Sequence, residues 1–310
     1  SVAELAACTA GGQVAFRSDA RSVAVRVELA GPAYMNHMPA TGQCGFDLYL
    51  GSPPAQRYHN TARYDIRQTS YEVVLFEHPE AALRTFTLNF PLYQGVRRLE
   101  IGLPPGARLQ PPAPWATEQR IIIYGTSITQ GGCASRPGLA YTNILSRRLN
   151  VEVINLGFSG NGCGEPEVIE LVAGIPRPLL IVLDYEANAG SLEAYQQTLP
   201  AALQQVRAAH RDIPVLVVSR VHFAKDFSHE ESRQQRERRL QMQKGVVSAL
   251  AVGDPNLHFV DGGTLLGPDE DECTVDGVHP NDIGFMRMAR ALEPTIRRIL
   301  GWPPPEESVS

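Results

Sequence analysis

An aspartate and a histidine three residues apart near the end of the chain, Asp276 and His279, are a pair suited to acid–base chemistry. From one short loop, the carboxylate can orient the imidazole and stabilise its charged form. Far upstream, Ser127 follows an apolar run, so it can end a buried strand and present its hydroxyl to that imidazole. The chain order Ser…Asp…His is one of several that build a hydrolytic triad on unrelated folds. The three residues therefore predict nucleophilic catalysis with Ser127 as the nucleophile.

The second half of the chain must position these side chains, and its pattern is that of a parallel sheet. Short apolar runs without polar alternation are typical of strands buried on both faces, and they occur at 121–124, 151–154, 179–183, 215–218 and 257–260. Helical stretches follow them at roughly 139–149, 165–173, 191–209, 231–252 and 281–300. We expect Pro294 to kink or break the last helix. The alternation predicts a doubly wound α/β domain with its ligands at the carboxyl ends of the strands.

The first hundred residues have a different pattern, that of many short strands separated by turn residues. Apolar and polar residues alternate at 22–29 and 85–90, and shorter candidates are 13–17, 45–50, 71–76 and 97–103. No convincing helix lies between them, which predicts a β-sandwich or jelly roll. A proline-rich stretch, 104–118, follows and predicts a linker or surface crossing segment.

Four segments that are distant in sequence come directly after predicted strands of the parallel sheet. They hold Ser127, the run Ser159-Gly160-Asn161, Asn188, and the pair Asp276 and His279. Because the carboxyl ends of parallel strands lie at one edge of the sheet, we expect these segments to converge.

The converging segments resemble the conserved blocks of the SGNH hydrolases, also called the GDSL lipase/esterase family. Gly125-Thr126-Ser127 is similar to the first block, with Thr126 where the family name has Asp, and Ser159-Gly160-Asn161 is similar to the second. Asp276 with His279 and Pro280 is similar to the last block. The third block departs from the family, since Glu186-Ala187-Asn188-Ala189 stands where Gly-x-Asn-Asp is usual.

Two further stretches resemble the two-domain members of that family, which carry an N-terminal sandwich. They are residues 125–138 and Gly45-Phe46-Asp47-Leu48-Tyr49. Several such proteins act on acylated carbohydrates, so the resemblance implies an ester of this kind as substrate.

The resemblance also implies a role for each residue. Ser127 would attack an ester carbonyl, His279 would take and return its proton, and Asp276 would hold the imidazole tautomer. The backbone N–H groups of Ser127 and Gly160 and the carboxamide of Asn188 would form the oxyanion hole. No cofactor or metal is expected.

Four other polar residues near the predicted strand ends are candidates for substrate contacts, with structural roles left open: Arg136, Tyr185, Glu186 and His222. Cys133 is a rival nucleophile, which we disfavour because no strand directly precedes it. The acidic run 269–272 lacks the spacing of a calcium loop, so it predicts a solvated loop and no metal site.

Composition excludes other classes of protein. A net charge of −5 without a basic patch argues against nucleic-acid binding, and the arginines of 233–239 alternate with Glu as on a solvated helix face. No apolar run is long enough to span a bilayer. We see no signal peptide and expect a cytoplasmic protein, with secretion left open if a leader was removed. The five cysteines lack C-x-x-C spacing, which disfavours a disulfide framework and a zinc site, although a Cys133–Cys163 bridge stays open.

Together these observations predict a β-sandwich (jelly-roll-like) domain at 1–103, a linker at 104–118, a flavodoxin-like SGNH domain at 119–303 and a tail at 304–310. The predicted function is a serine esterase acting on carbohydrate O-acetyl or other short acyl esters, with self-association left open. The alternatives are a lipid or thioester hydrolase with the same mechanism, and an inactive carbohydrate-binding protein, which the altered third block favours.

Overall fold

The computed structural model describes residues 2–304, so the predicted tail at 304–310 lies outside the described residues except for its first residue. The first part of the chain forms mainly strands. Its elements, in chain order, are α1 (Val2–Leu5), β1 (Gln13–Ser18), β2 (Ser22–Leu29), α2 (Ala40–Gln43), β3 (Asp47–Leu50), β4 (Arg57–Thr61), β5 (Ser70–Glu77), β6 (Arg84–Asn89), β7 (Val96–Gly102) and β8 (Leu109–Gln110).

These strands form two antiparallel sheets, one of five strands in the order β4-β3-β6-β1-β8 and one of three in the order β5-β2-β7. A shared apolar cluster is contributed by both sheets and includes Val25, Phe46 and Leu88. The predicted sandwich is therefore confirmed. Two strands were not predicted: β4 lacks apolar alternation, and β8 lies in the proline-rich stretch, where it pairs with β1.

The second part of the chain alternates strands and helices. Its elements are β9 (Arg120–Gly125), α3 (Ser127–Gln130), α4 (Tyr141–Leu149), β10 (Glu152–Gly157), α5 (Pro166–Gly174), β11 (Pro178–Asp184), α6 (Leu192–Ala209), β12 (Val215–Val218), α7 (Ala224–Ser228), α8 (Glu230–Ala251), β13 (Leu257–Val260) and α9 (Asp282–Ile299). Short 3₁₀ helices lie at Pro137–Leu139, Glu186–Asn188, Gly262–Thr264 and Glu270–Cys273.

All five strands of this second sheet are parallel, in the order β10-β9-β11-β12-β13. Counted within the sheet, this is the flavodoxin-like order 2-1-3-4-5, which confirms the predicted fold. The order in which strands are added to the sheet reverses between β9 and β11, and ligands of such sheets bind at the carboxyl ends of the strands at that point. Ser127 follows β9, and Asn188 lies just beyond β11.

Helix α9 runs from Asp282 to Ile299 and continues through Pro294, so of the predicted kink or break the break does not occur. One face of α9 buries Phe285, Met288 and Leu292 against the sheet. Packing of an amphipathic face stabilises a helix more than intrinsic propensity does, and here it holds the helix together across the proline.

The sandwich and the α/β unit share one apolar core. Met38, Leu92 and Tyr93 from the first part are buried in the same cluster as Ile128 and Tyr141 from the second. The first part therefore packs against α3 and α4, the helices next to Ser127.

A buried ion pair also crosses this boundary. The carboxylate of Asp47 is fully buried and accepts hydrogen bonds from Arg136 at 2.9 Å, from the backbone N–H of Gly138 at 2.8 Å and from Asn89 at 2.7 Å. The hydroxyl of Tyr49 lies 2.6 Å from the same guanidinium. Asp47 and Tyr49 belong to the Gly45–Tyr49 motif, so the motif docks the sandwich onto the α/β unit.

Candidate active site

Ser127 lies at the first turn of α3, immediately beyond the carboxyl end of β9. The preceding residue, Thr126, caps the helix, since its hydroxyl accepts the backbone N–H of Ile128 at 3.3 Å. Gly125 allows the sharp turn between strand and helix, because a Cβ there would lie 2.0 Å from the Thr129 hydroxyl oxygen. Ser127 is mostly buried, with 8% of its surface exposed.

A chain of short contacts joins the three residues of the predicted triad. The Ser127 Oγ atom lies 2.9 Å from Nε2 of His279, and Nδ1 of His279 lies 2.7 Å from Oδ2 of Asp276. The other carboxylate oxygen of Asp276 accepts the backbone N–H groups of Val278 and His279, at 3.0 and 2.8 Å. Gly277 adopts φ +84°, which lets the loop fold back over the carboxylate.

The carboxylate of Asp276 is held in its charged form. Partial burial would raise the pKa of Asp276, but hydrogen bonds from the backbone and ring of His279 outweigh it and keep the pKa below its usual value. An ionised Asp276 can only accept a hydrogen bond, so the facing Nδ1 carries the hydrogen and Nε2 is left free to accept the proton of Ser127. The arrangement can therefore activate a serine hydroxyl.

The two remaining candidates for the oxyanion hole lie together. Gly160 has φ +66°, and a Cβ at this position would meet no atom within 4 Å. The side-chain nitrogen of Asn188 donates a hydrogen bond to the backbone oxygen of Asn161, the next residue. The backbone N–H of Ser159 donates to Oε1 of Gln130 at 3.0 Å, which ties this loop to the helix of the serine.

The sandwich contributes two residues next to this site that the sequence did not single out. The buried hydroxyl of Tyr93 donates to the backbone oxygen of Ser127 at 3.2 Å. The ring of His37 lies 5.7 Å from the ring of His279, measured between centroids. Both residues are distant from the α/β strands in sequence, and no spacing in the chain links them to the triad.

Arg136, predicted as a substrate contact, joins the two parts of the chain. Besides its ion pair with Asp47, its guanidinium lies 3.8 Å from the ring centroid of Tyr58 and 5.4 Å from that of Tyr49. Nη1 of Arg136 and the flat face of its guanidinium therefore have partners within the protein.

Tyr185 and Glu186, predicted beside the substrate, are buried in the interior. The ring of Tyr185 packs against Tyr124 and Tyr195. The carboxylate of Glu186 accepts the backbone N–H of Arg220 at 2.7 Å and the amide of Gln243 at 2.9 Å. Burial raises the pKa of Glu186. The sequence position after β11 was right, but these side chains point away from the strand end, into the core.

His222, the last predicted contact, is half-buried, and its Nδ1 lies 2.8 Å from the carboxylate of Glu270. The Cys133–Cys163 bridge does not form, since all five cysteines are free thiols. Burial raises the pKa of Cys133 to about 12, so its thiol stays protonated at neutral pH and is a poor nucleophile.

A half-buried carboxylate lies beneath the serine helix. Asp184, at the end of β11, accepts hydrogen bonds from the hydroxyls of Tyr141 at 2.7 Å and Thr129 at 3.1 Å. Burial raises the pKa of Asp184 to about 7, although the two hydroxyls lower it. Thr129 is part of α3, so Asp184 anchors the helix that carries Ser127.

Comparison with protein families matches both parts of the chain. The model of the GDSL-like lipase/acylhydrolase family matches residues 118–297. A second model, GxDLY, the N-terminus of SGNH-hydrolase-type esterases, matches residues 1–109. No curated protein sequence gives a significant match. Within residues 2–304, the helices are too short or too polar to cross a bilayer.

Solved structures of similar fold include three that cover almost the whole chain. A candidate GDSL-like lipase from Bacteroides ovatus ATCC 8483 is 30% identical with a TM-score of 0.90, and the match covers 98% of this chain and 88% of that one. A salicylyl-acyltransferase from a tetracycline biosynthetic pathway is 22% identical, with a TM-score of 0.76 and coverage of 98% and 87%. A family two carbohydrate esterase from Clostridium thermocellum, solved with cellohexaose, is 16% identical, with a TM-score of 0.68 and coverage of 96% and 95%.

Proposed function

We propose that this chain, which belongs to the GDSL-like lipase/acylhydrolase family and is a carboxylic ester hydrolase, uses Ser127, His279 and Asp276 as its catalytic triad. The observation that carries the proposal is the unbroken series of contacts from Ser127 Oγ through the imidazole to the carboxylate, at 2.9 and 2.7 Å. Both distances are within hydrogen-bonding range.

In the first half of the reaction, Ser127 attacks the ester carbonyl carbon while its proton moves to Nε2 of His279. The imidazolium is stabilised by the ionised Asp276 and then gives the proton to the departing alcohol. In the second half, water attacks the acyl-enzyme, its proton passes to His279, and the carboxylic acid leaves as the serine regains its hydrogen.

The tetrahedral oxyanion would be stabilised by the backbone N–H groups of Ser127 and Gly160 and by the carboxamide of Asn188. Removing one such donor costs about 3–4 kcal/mol of transition-state stabilisation in other acyl-transfer enzymes. Open space over Gly160 supports this assignment, because the carbonyl oxygen needs room there. Gly132, by contrast, has no such room, since a Cβ there would lie 2.7 Å from the Tyr93 hydroxyl and 3.3 Å from His279.

The substrate class we propose is a carbohydrate carrying O-acetyl or other short acyl groups. The similarity of the whole chain, sandwich included, to a carbohydrate esterase solved with a cello-oligosaccharide supports this choice. Asp276 is exposed and His279 is half-buried. This exposure also supports a carbohydrate ester, because a bulky polar alcohol must approach the site from solvent.

The test of the triad compares the wild type with Ser127→Ala on p-nitrophenyl acetate. We expect kcat to fall by roughly 10³-fold or more, as removal of a triad nucleophile predicts. Ser191→Ala is the matched control, because Ser191 caps another helix of the same domain. Equal rates for wild type and Ser127→Ala would show that another residue attacks the ester.

The test of the substrate class measures acid release from acetylated cello-oligosaccharides, acetylated monosaccharides and p-nitrophenyl esters of increasing chain length. We expect the highest kcat/KM on acetylated sugars. A preference for long acyl chains would favour the lipid hydrolase, and glycan binding without turnover of any ester would favour the inactive binding protein.

A further inference from the structure

Three side chains of types that can bind a metal lie close together near Ser127, although they come from three separate segments. His37 lies in the sandwich between β2 and α2, Cys133 follows α3, and His279 belongs to the last loop. Each side chain offers one atom that could ligate a metal, and these three atoms all lie within 4.8 Å of one another. The spacing of cysteines in the sequence disfavours a zinc site, but the fold assembles this cluster from both parts of the chain.

The donor set of two imidazoles and one thiolate is the kind that zinc and related transition metals prefer. Cys133 is buried and the two histidines are half-buried, so an ion bound here would be only partly solvated. Three protein ligands leave one of the four tetrahedral positions of zinc for water.

Both histidines already have an oxygen partner at Nδ1, as metal-bound histidines commonly do. Nδ1 of His279 lies 2.7 Å from the Asp276 carboxylate, and Nδ1 of His37 lies 3.3 Å from the side-chain oxygen of Asn36. Such partners fix the tautomer and make the other nitrogen a better ligand. In each ring this leaves Nε2 as the atom to ligate a metal.

We propose that Zn²⁺ binds His37, Cys133 and His279 and thereby inhibits the esterase reversibly. Coordination uses the Nε2 lone pair of His279, the same electron pair that accepts the proton of Ser127. Binding releases the thiol proton of Cys133 to solvent and forms metal–nitrogen and metal–sulfur bonds, with no change of oxidation state. The binding claim stands by itself, whereas the inhibition rests on the proposed role of His279 as the base.

Binding is tested first, with the full chain and without substrate. The protein is freed of metal with a chelator and titrated with Co²⁺, which reports a bound thiolate through a sulfur-to-cobalt charge-transfer absorption. We expect this absorption in the wild type and in Ser127→Ala, and its loss in both Cys133→Ser and Cys133→Ala. Absence of the absorption in the folded wild type would overturn the site.

Inhibition is tested by titrating Zn²⁺ into the p-nitrophenyl acetate assay and then adding chelator. We expect loss of activity that the chelator reverses. His37→Ala and Cys133→Ser should each raise the half-inhibiting Zn²⁺ concentration by about tenfold or more, relative to each variant's own metal-free rate. His222→Ala and Cys163→Ser are matched controls outside the cluster, and each should keep the wild-type value.

The remaining outcomes separate this inference from the proposed function. A wild type that binds Co²⁺ through Cys133 but keeps full activity with Zn²⁺ would overturn the inhibition and leave the proposed triad unaffected. A metal-free enzyme that is inactive until Zn²⁺ is added would overturn the inhibition. If Ser127→Ala keeps its activity while Co²⁺ binding is intact, the triad fails and the metal site stands.

Discussion

The hydroxyl of Tyr93 donates a hydrogen bond to the backbone oxygen of Ser127 at 3.2 Å. The same oxygen accepts the backbone N–H groups of Gly131 and Gly132, at 3.1 and 2.8 Å. Tyr93 belongs to the part of the chain that forms the sandwich, and its side chain is buried beneath α3. The sandwich is thus in direct contact with the residue that we propose as nucleophile.

We expect Tyr93→Phe to lower kcat by about tenfold, with KM little changed. The variant frees the serine turn to shift, and a misplacement of 1 Å can cost about a hundredfold. The free energy of unfolding should fall by only about 1 kcal/mol, the usual contribution of one hydrogen bond. Steady-state kinetics and urea unfolding measure the two effects.

The matched control is Tyr71→Phe, because Tyr71 also donates to a backbone oxygen, that of Cys44, at 2.9 Å. This control should show a similar loss of stability and an unchanged kcat. If both variants keep the wild-type kcat, Tyr93 has no positioning role.

Gly160→Ala should lower both stability and activity. At φ +66° an alanine costs about 1–2 kcal/mol of backbone strain. Its methyl group would also occupy the open space proposed for the carbonyl oxygen, so kcat/KM on p-nitrophenyl acetate should fall. Gly106→Ala is the control, since Gly106 has φ +82° and equally open surroundings. A comparable loss of activity in the two variants would argue against a role for Gly160 in the oxyanion hole.

Asp47→Ala should lower the free energy of unfolding by about 3–5 kcal/mol, because it leaves Arg136 buried without its charge partner. Asp65→Ala removes an exposed pair with Arg67 and should cost much less, because solvent screens the two charges. Urea unfolding monitored by circular dichroism compares the two. Equal costs would mean that the Asp47 ion pair contributes no more than a surface pair.

Asp184→Asn should change how stability depends on pH. The pKa of Asp184 is about 7 in the folded protein and near 3.8 in the unfolded chain, so the folded state binds the proton more tightly. Its contribution to stability is therefore present at low pH and declines as pH rises from about 4 through about 7. The slope is at most about 1.4 kcal/mol per pH unit.

The asparagine cannot ionise, but its side-chain oxygen can still accept hydrogen bonds from the hydroxyls of Tyr141 and Thr129. The charged group that acts on Asp184 is Glu186, which raises the pKa of Asp184. The difference in Tm, variant minus wild type, should thus grow between pH 5 and pH 8 in a thermal unfolding series. Parallel curves for the two proteins would show that Asp184 titrates at an ordinary pKa.

The sequence was sufficient for the family, the α/β sheet and the sandwich, because each follows from local patterns. The contacts among Ser127, Asp276 and His279 agree with the expectation from strand ends, since parallel strands bring their carboxyl ends to one edge. Tyr185 and Glu186 show the limit of that argument. Their positions after β11 were correct, but the direction of a side chain depends on the turn, which the sequence did not specify.

Contacts between the two parts of the chain were the least predictable. Asp47 and Tyr49 carried a family resemblance, yet nothing local indicated that their partner would be Arg136. His37 and Tyr93 reach the active site through the docking of two separate units. Such docking depends on the complementarity of whole surfaces rather than on periodicity within one segment.

The apolar core that both parts share has a consequence for folding. Because Met38, Leu92 and Tyr93 are buried among residues of the α/β unit, the interior of that unit is incomplete without the first part of the chain. The two family models meet between residues 109 and 118, but this point does not divide the chain into two units that fold independently. Loss of the sandwich would expose apolar surface next to Ser127, so we expect the two parts to unfold in one cooperative transition.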